Sequence, residues 1–226
     1  MSAYFCISVR LLDETYHGRA DRGEPEWPPS PMRLVQALVA AAARRRGDGT
    51  LAESDQAALQ WLERLAPPTI AAPTIELGTK YRLYVPDNIA DKVAGTWSRG
   101  GEASIADYRT EKDVQVVQLR GADPTLHFLW PLPAAADAAV FVETLQALAR
   151  RVTHLGWGVD MAAVNARVLS IAEVEDLPGH RWSPVAAGGV SRRVPIAGSL
   201  AALIRRHNAF LQRLPSPDSF AVVPPF

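Results

Sequence analysis

"EWPPSPMRLVQALVAAAARRR", residues 26–46, sets three prolines directly against a strongly helical run. Pro28 and Pro29 each fix φ near −65° and donate no backbone hydrogen bond, so the lead-in is stiff and extended. Ser30 suits an N-cap and Pro31 suits the first helical position, where a missing N–H costs nothing. From there Met32, Val35, Leu38, Val39 and Ala42 recur at helical spacing as one apolar stripe. The lead-in fixes Glu26, Trp27 and Arg33 against the helix start. Free N–H groups there, with an arginine one turn in, suit a phosphate. The plainer reading is a well-capped packing helix with Trp27 stapled onto it.

Working outward, residues 4–10, "YFCISVR", read as a buried strand before the helix. A short helix follows at about 54–66, capped by Ser54 and carrying Leu59, Leu62 and Leu65. After the Pro67-Pro68 break, "TKYRLYV" at 79–85 alternates, with Tyr81, Leu83 and Val85 on one face and Lys80, Arg82 and Tyr84 on the other. Residues 86–113 are long, polar and aperiodic, which inside a domain signals a functional loop. Strands are expected at 114–120 and 125–130, joined by "GADP", then a helix at about 134–154 with Gly156 as its C′ residue. A strand at 163–170 and a helix at about 199–214 complete the chain. This order predicts an α+β, ferredoxin-like (RNA-recognition-motif-like) βαββαβ sheet, with helices on one face and the other face left for a ligand.

A chain of 226 residues is long enough for a sizeable core. Its 48% hydrophobic and 21% charged content is that of an ordinary globular protein. No stretch is apolar enough to span a membrane and nothing marks the N-terminus for secretion, so a cytoplasmic location is expected. The single cysteine, Cys6, excludes an internal disulfide and a cysteine-based zinc site. No metal or cofactor is expected. Net charge is zero, which argues against indiscriminate polyanion binding, yet residues 178–213 hold six arginines and no acid. There are 21 Arg to 3 Lys; a GC-rich coding sequence yields that ratio but not that placement. Arginine's planar fork suits phosphates and stacks on bases.

Several stretches together carry a family resemblance: "YHG" (16–18), "EWPPSPMRLVQALVAAA" (26–43), "YVPDN" (84–88), "RTEK" (109–112), "LHFLWPL" (126–132) and "RVTHLGWG" (151–158). In this order they resemble the N-terminal half of the CRISPR-associated fusion protein of subtype I-U (I-G), in which a Cas-five-like domain precedes a Cas-six-like one. The resemblance implies a ferredoxin-fold RNA-binding domain at 1–214, with a thumb insertion at about 86–113. Residues 215–226 would then be a tail or linker toward a Cas-six-like domain. It implies a subunit of a type I RNA-guided antiviral complex (Cascade) that grips the 5′ handle of the CRISPR RNA and caps the filament. Its partners would be a Cas-seven-like backbone subunit, a large Cas-eight-like subunit, a Cas-six-like domain or chain and, through the complex, target DNA. RNA cleavage is then expected of the Cas-six-like half, not of this chain.

The resemblance places Trp97, Arg99, Tyr108, Arg109 and Lys112 in the thumb, an aromatic and basic mixture suited to bases and phosphates. Residues 80–120 nevertheless hold seven basic and six acidic side chains, so a solvated loop is the competing reading. Gly156 and Gly158, in the glycine-bearing turn, would let RNA approach the backbone. Lys80 and Arg82 on their strand, Arg19 and Arg33 around the first helix, and Arg181, Trp182, Arg192 and Arg193 in the acid-free segment complete the RNA-binding candidates. His17 is the one catalytic candidate, as an acid or base of a metal-independent endoribonuclease. A purely structural, protein-binding subunit is the other alternative.

Overall fold

The computed structural model describes residues 3–46, 49–86, 99–101, 109–121, 123–133 and 138–211. Strand β1 (Ala3–Leu11) and a two-residue strand β2 (Thr15–Tyr16) precede helices α1 (Pro31–Arg46) and α2 (Glu53–Leu62). Strands β3 (Thr69–Ala72), β4 (Thr74–Pro86), β5 (Arg109–Arg120) and β6 (Thr125–Pro131) follow. Then come α3 (Ala138–Ala149), β7 (Ala162–Ser170), the short α4 (Ile171–Glu175), β8 (His180–Trp182) and α5 (Ser199–Leu211).

One sheet has the order β7-β1-β6-β3-β8 and the other β2-β5-β4. In the first, β6 runs antiparallel to both β1 and β3, and β7 antiparallel to β1. Counting β1, β3, β6 and β7 as the strands of the plan, the spatial order is fourth, first, third, second. Helices α1 and α2 connect the first pair and α3 the last. This is the ferredoxin-like arrangement, with β8 added at one edge.

The chain divides into two compact units, Met1–Gly78 with Val116–Ala201 and Thr79–Gln115 with Ala202–Phe226. In the first unit Phe5, Ile7 and Val9 pair with Trp130, Phe128 and Leu126 across β1 and β6, all buried. Phe5 meets Trp61 of α2 edge-on at 6.3 Å, and Trp61 packs on Phe141 of α3 at 5.6 Å. Aromatic contacts thus join the sheet to two of its helices. The second unit, where described, is the outer part of the β4–β5 ribbon and most of α5.

Several expectations are corrected. The second strand of the main sheet is not 79–85 but β3. Four largely buried residues between Pro68 and Pro73 show no alternation, because a central strand is covered on both faces. The stretches at 79–85 and 114–120 instead belong to the smaller sheet, and Tyr81 and Tyr84 are both exposed. Helix α2 is capped by Ala52 without a side-chain bond, not by Ser54; Glu53 and Asp55 in its first turn complement its dipole. Helix α3 ends at Ala149, so Gly156 is not its C′ residue. The sheet face away from Trp61 is not wholly free either. Cys6, Ala71, Leu129 and Leu169 cluster there beneath Tyr4, Val174 and Leu177.

Candidate functional site

The site grows from the segment between β1 and α1. Ala20 N–H donates to Glu24 O (2.9 Å), Gly23 N–H to Ala20 O (3.0 Å) and Glu26 N–H to Gly18 O (2.9 Å), folding residues 18–26 back on themselves. Gly23 takes a φ of 87°, which a side chain would strain. The Trp27–Pro28 bond is cis. Trp27 is buried as the apolar reading requires, edge-on to Tyr16 at 5.8 Å, with its Nε1–H donating to Pro73 O (3.1 Å).

The start of α1 differs from a free anion seat. Met32 N–H donates to Arg193 O (3.1 Å) and Arg33 N–H to Ser30 O (2.9 Å), while Pro31 has no N–H to offer. Arg33 turns its fork inward, bonding the buried Glu26 carboxylate through Nε and Arg19 O through Nη2. Arg192 holds the backbone of the lead-in from the other side, donating to Pro28 O (3.0 Å) and Trp27 O. Between these straps lies a cleft of about 480 Å³. Arg19, Arg22, Arg33, Arg192 and Arg193 line it, with Asp21, Glu24 and Glu26. Arg193 pairs with Asp21 at the exposed rim, a kind of contact worth little to stability. The cleft therefore has two layers: arginines committed to the fold at its base and exposed arginines at its rim.

Beside it stands a second cluster. His17 Nδ1 lies 2.7 Å from Asp160 Oδ1, which also accepts from the His17 backbone N–H (3.0 Å). Trp157 N–H donates to Asp160 Oδ2 (3.2 Å). Asp160 is buried, and burial raises its carboxyl pKa above the ordinary 3.8 against the opposing pull of these donors. The His17 ring stacks on Trp157 (5.8 Å between centroids, 19° between planes), and the Arg19 guanidinium lies 5.7 Å from the Trp157 ring centre. Tyr16 is turned inward, with its hydroxyl beside Gly156 on the buried side of the same cluster. It is fully buried, its hydroxyl has no hydrogen-bond partner among the described residues, and burial pushes its pKa far up. Its ring occupies the space above Gly18, where a Cβ would fall 2.2 Å from the hydroxyl oxygen. Gly156, at φ 99°, lines a smaller hollow of about 150 Å³ with Arg33, Gln36 and His154.

Of the RNA-binding candidates, Arg19, Arg33, Arg192 and Arg193 thus meet in one cleft, and Gly156 lies on the hollow that shares Arg33 with it. Gly158 faces open space. Arg181 and Trp182 are elsewhere, on edge strand β8. Arg181 bonds the carbonyls of Val174 (2.5 Å) and Leu177 (3.0 Å), and Trp182 pairs with Ile70. In the second unit Arg82 bonds Glu111 (2.5 Å) and lies 3.6 Å from Asp113; Lys80, Lys112 and Arg99 are exposed. Trp97, Tyr108, the Arg109 side chain and most of the 86–113 thumb lie outside the described residues. No group of metal-ligating side chains occurs among the described residues, and none of their helices is long and apolar enough to cross a membrane. Sequence reasoning misses Asp160 and Trp157 as site residues, and the burial of Glu26. The "GWGVD" run that holds the first two shows only its glycines as a signal.

A ferredoxin-like α+β sheet bearing an arginine-lined cleft defines the class of this protein. Residues 4–226 match the model of the CRISPR-associated protein, GSU0054 family, and the chain belongs to that family. No curated protein matches significantly. Among solved structures the chain is similar to a CRISPR protein from Archaeoglobus fulgidus known from its crystal structure, at 12% identity and a TM-score of 0.36. The match covers 74% of this chain and 64% of that one, less than two thirds of its length.

Proposed function

We propose that this chain is the subunit that binds the 5′ handle of the CRISPR RNA and caps the backbone filament of a type I effector complex. The family makes it a component of a CRISPR system. The observation that carries the finer reading is the arginine-lined cleft at the start of α1. Arg22 and Arg193 stand at its rim, where a phosphate backbone can reach them, while Arg33 and Arg192 brace the floor. A Cas-seven-like neighbour, a large Cas-eight-like subunit and a Cas-six-like domain or chain are the expected partners, with target DNA reached through the complex.

Titration of the chain with handle RNA over a salt series tests this. Arg22→Ala with Arg193→Ala should weaken binding and reduce the salt slope by about one for each phosphate that is no longer neutralised. Unchanged affinity and slope would refute the cleft as the RNA site. If no RNA binds at any salt concentration, the purely structural subunit is the correct reading.

A second reading, metal-independent RNA cleavage, is favoured by one observation: Asp160 orients the His17 imidazole as a carboxylate orients a catalytic base. Cleavage also needs an acid for the leaving 5′ oxygen, and Tyr16, turned into the core, does not supply it. Handle RNA incubated with the chain in EDTA should stay intact. Site-specific cutting that His17→Ala abolishes with the chain in saturating excess over the RNA would establish the nuclease instead.

A further inference from the structure

The cleft offers arginines to phosphates, but the ring pair beside it has another chemistry. His17 is a loop residue, yet its ring is fixed twice, by the buried Asp160 carboxylate at Nδ1 and by the near-parallel face of Trp157. Burying a carboxylate to hold one loop histidine costs desolvation, and three donors converge on Asp160 to offset it. The outcome is a half-buried pair of rings of fixed orientation. Arg19 belongs to both features: its guanidinium lies over Trp157, and its side chain lines the cleft. On one side of Trp157 the backbone is open, since a Cβ at Gly158 would meet nothing within 4 Å; on the other, Gly156 at φ 99° packs against the Tyr16 hydroxyl and the Asp160 carboxylate.

We infer that the His17–Trp157 pair is a stacking seat for one unpaired nucleobase of single-stranded RNA, whose adjoining phosphate meets Arg19 at the mouth of the cleft. This rests on the RNA-binding reading above and extends it from phosphates to a base. A preorganised ring pair gives up little side-chain entropy when a base joins it. Stacking tolerates any base, so the seat requires that a base be present rather than selecting a particular one. Asp160 acts through His17 as a positioning residue.

The test uses the whole chain and a set of short single-stranded handle RNAs in which each nucleotide in turn is made abasic, with affinities measured at one salt concentration. For the wild type, one position should stand out, its abasic form binding about 5- to 150-fold more weakly. In Trp157→Ala and in His17→Ala that penalty should fall to nearly none, while abasic sites elsewhere behave as before. His17→Phe and Trp157→Phe, which keep a ring and guard against misfolding of the alanine variants, should retain much of it. Asp160→Asn should reduce the penalty at that position alone, an effect that a general loss of stability would not produce. RNA binding with no sensitive position, or with a penalty that all of these variants leave intact, overturns the seat and spares the RNA-binding reading. Failure of the wild type to bind any RNA overturns both.

Discussion

Arginines at the start of α1 and on the β4–β5 ribbon look alike in sequence and live differently in the fold. At the α1 start, Arg33 and Arg192 lie across the backbone of the lead-in, bonding carbonyls and the buried Glu26. On the ribbon, Arg82 stands half in water between Glu111 and Asp113. A guanidinium with its donors spent on buried acceptors is part of the architecture; one paired with exposed carboxylates can exchange them for phosphates. Basic residues therefore divide by what they touch, and the rim of the cleft, Arg22 and Arg193, belongs with the ribbon rather than with the floor beneath it.

The largest effect is expected at the apolar side of the lead-in. Trp27→Ala removes a buried ring against Tyr16 and frees Pro73 O, and should cost about 3–5 kcal/mol of stability by urea unfolding. A loss below about 1 kcal/mol would mean that the ring is not a core element.

Arg33→Ala comes next and decides the comparison most directly. The sequence alone suggests an anion-binding arginine with little weight in the fold. The structure reverses that, because removal takes away the cation bonded to the buried Glu26 and leaves it with Arg192 in its neighbourhood. We expect about 2–3 kcal/mol of destabilisation, below the ~3–5 of a fully buried pair, since 22% of the Arg33 side chain meets solvent. Adding Glu26→Gln should restore a good part of it, and a double-mutant cycle reads the coupling. Independent, additive losses would break the division drawn here.

The ferredoxin-like plan is legible in the sequence because long helices and half-buried strands leave periodic traces. The lapses have local causes. Strand β3 is four residues between prolines with both faces covered, so it has no alternation to detect. Ser54 lies one step inside α2, where a good capping residue type misleads. His17 can be singled out by type, but its partner Asp160 lies 143 residues away and only the closed sheet joins them. Likewise the inward turn of Arg33 depends on Glu26, whose burial is set by the 18–26 fold-back and has no sequence signature.

A smaller effect is expected at His127, which tests whether a buried base behaves as the floor arginines do. Its Nδ1 meets Ser8 Oγ at 2.8 Å, while Nε2 is buried without a partner among the described residues. Burial holds its pKa below the ordinary 6.5; Arg167 and Arg181 push the same way and Asp123 opposes them. The unfolded chain thus takes the proton first. The stability that this group contributes is complete above 6.5 and is lost as pH falls through the window beneath it. His127→Gln keeps a group that can bond Ser8 but cannot titrate, so unfolding free energies measured from neutral pH downward should fall less steeply. Parallel curves for wild type and variant would show that His127 is not held neutral.

The smallest change in stability belongs to Arg82, and it marks the far end of the comparison. Its side chain is 55% exposed and both of its carboxylate partners are exposed as well. Tyr84, by a hydrogen bond, and the two carboxylates favour its charged form without burying it, and solvent and salt screen what they gain. Arg82→Ala should therefore leave the thermal midpoint where it was, in contrast to Arg33→Ala. If the ribbon contacts RNA, the same variant should lower the salt slope of binding by about one. A flat midpoint with an altered slope would place Arg82 among the exchangeable cations. A clear drop in the midpoint would put it with Arg33, and exposure would then be a poor guide to which arginines of this chain serve the fold.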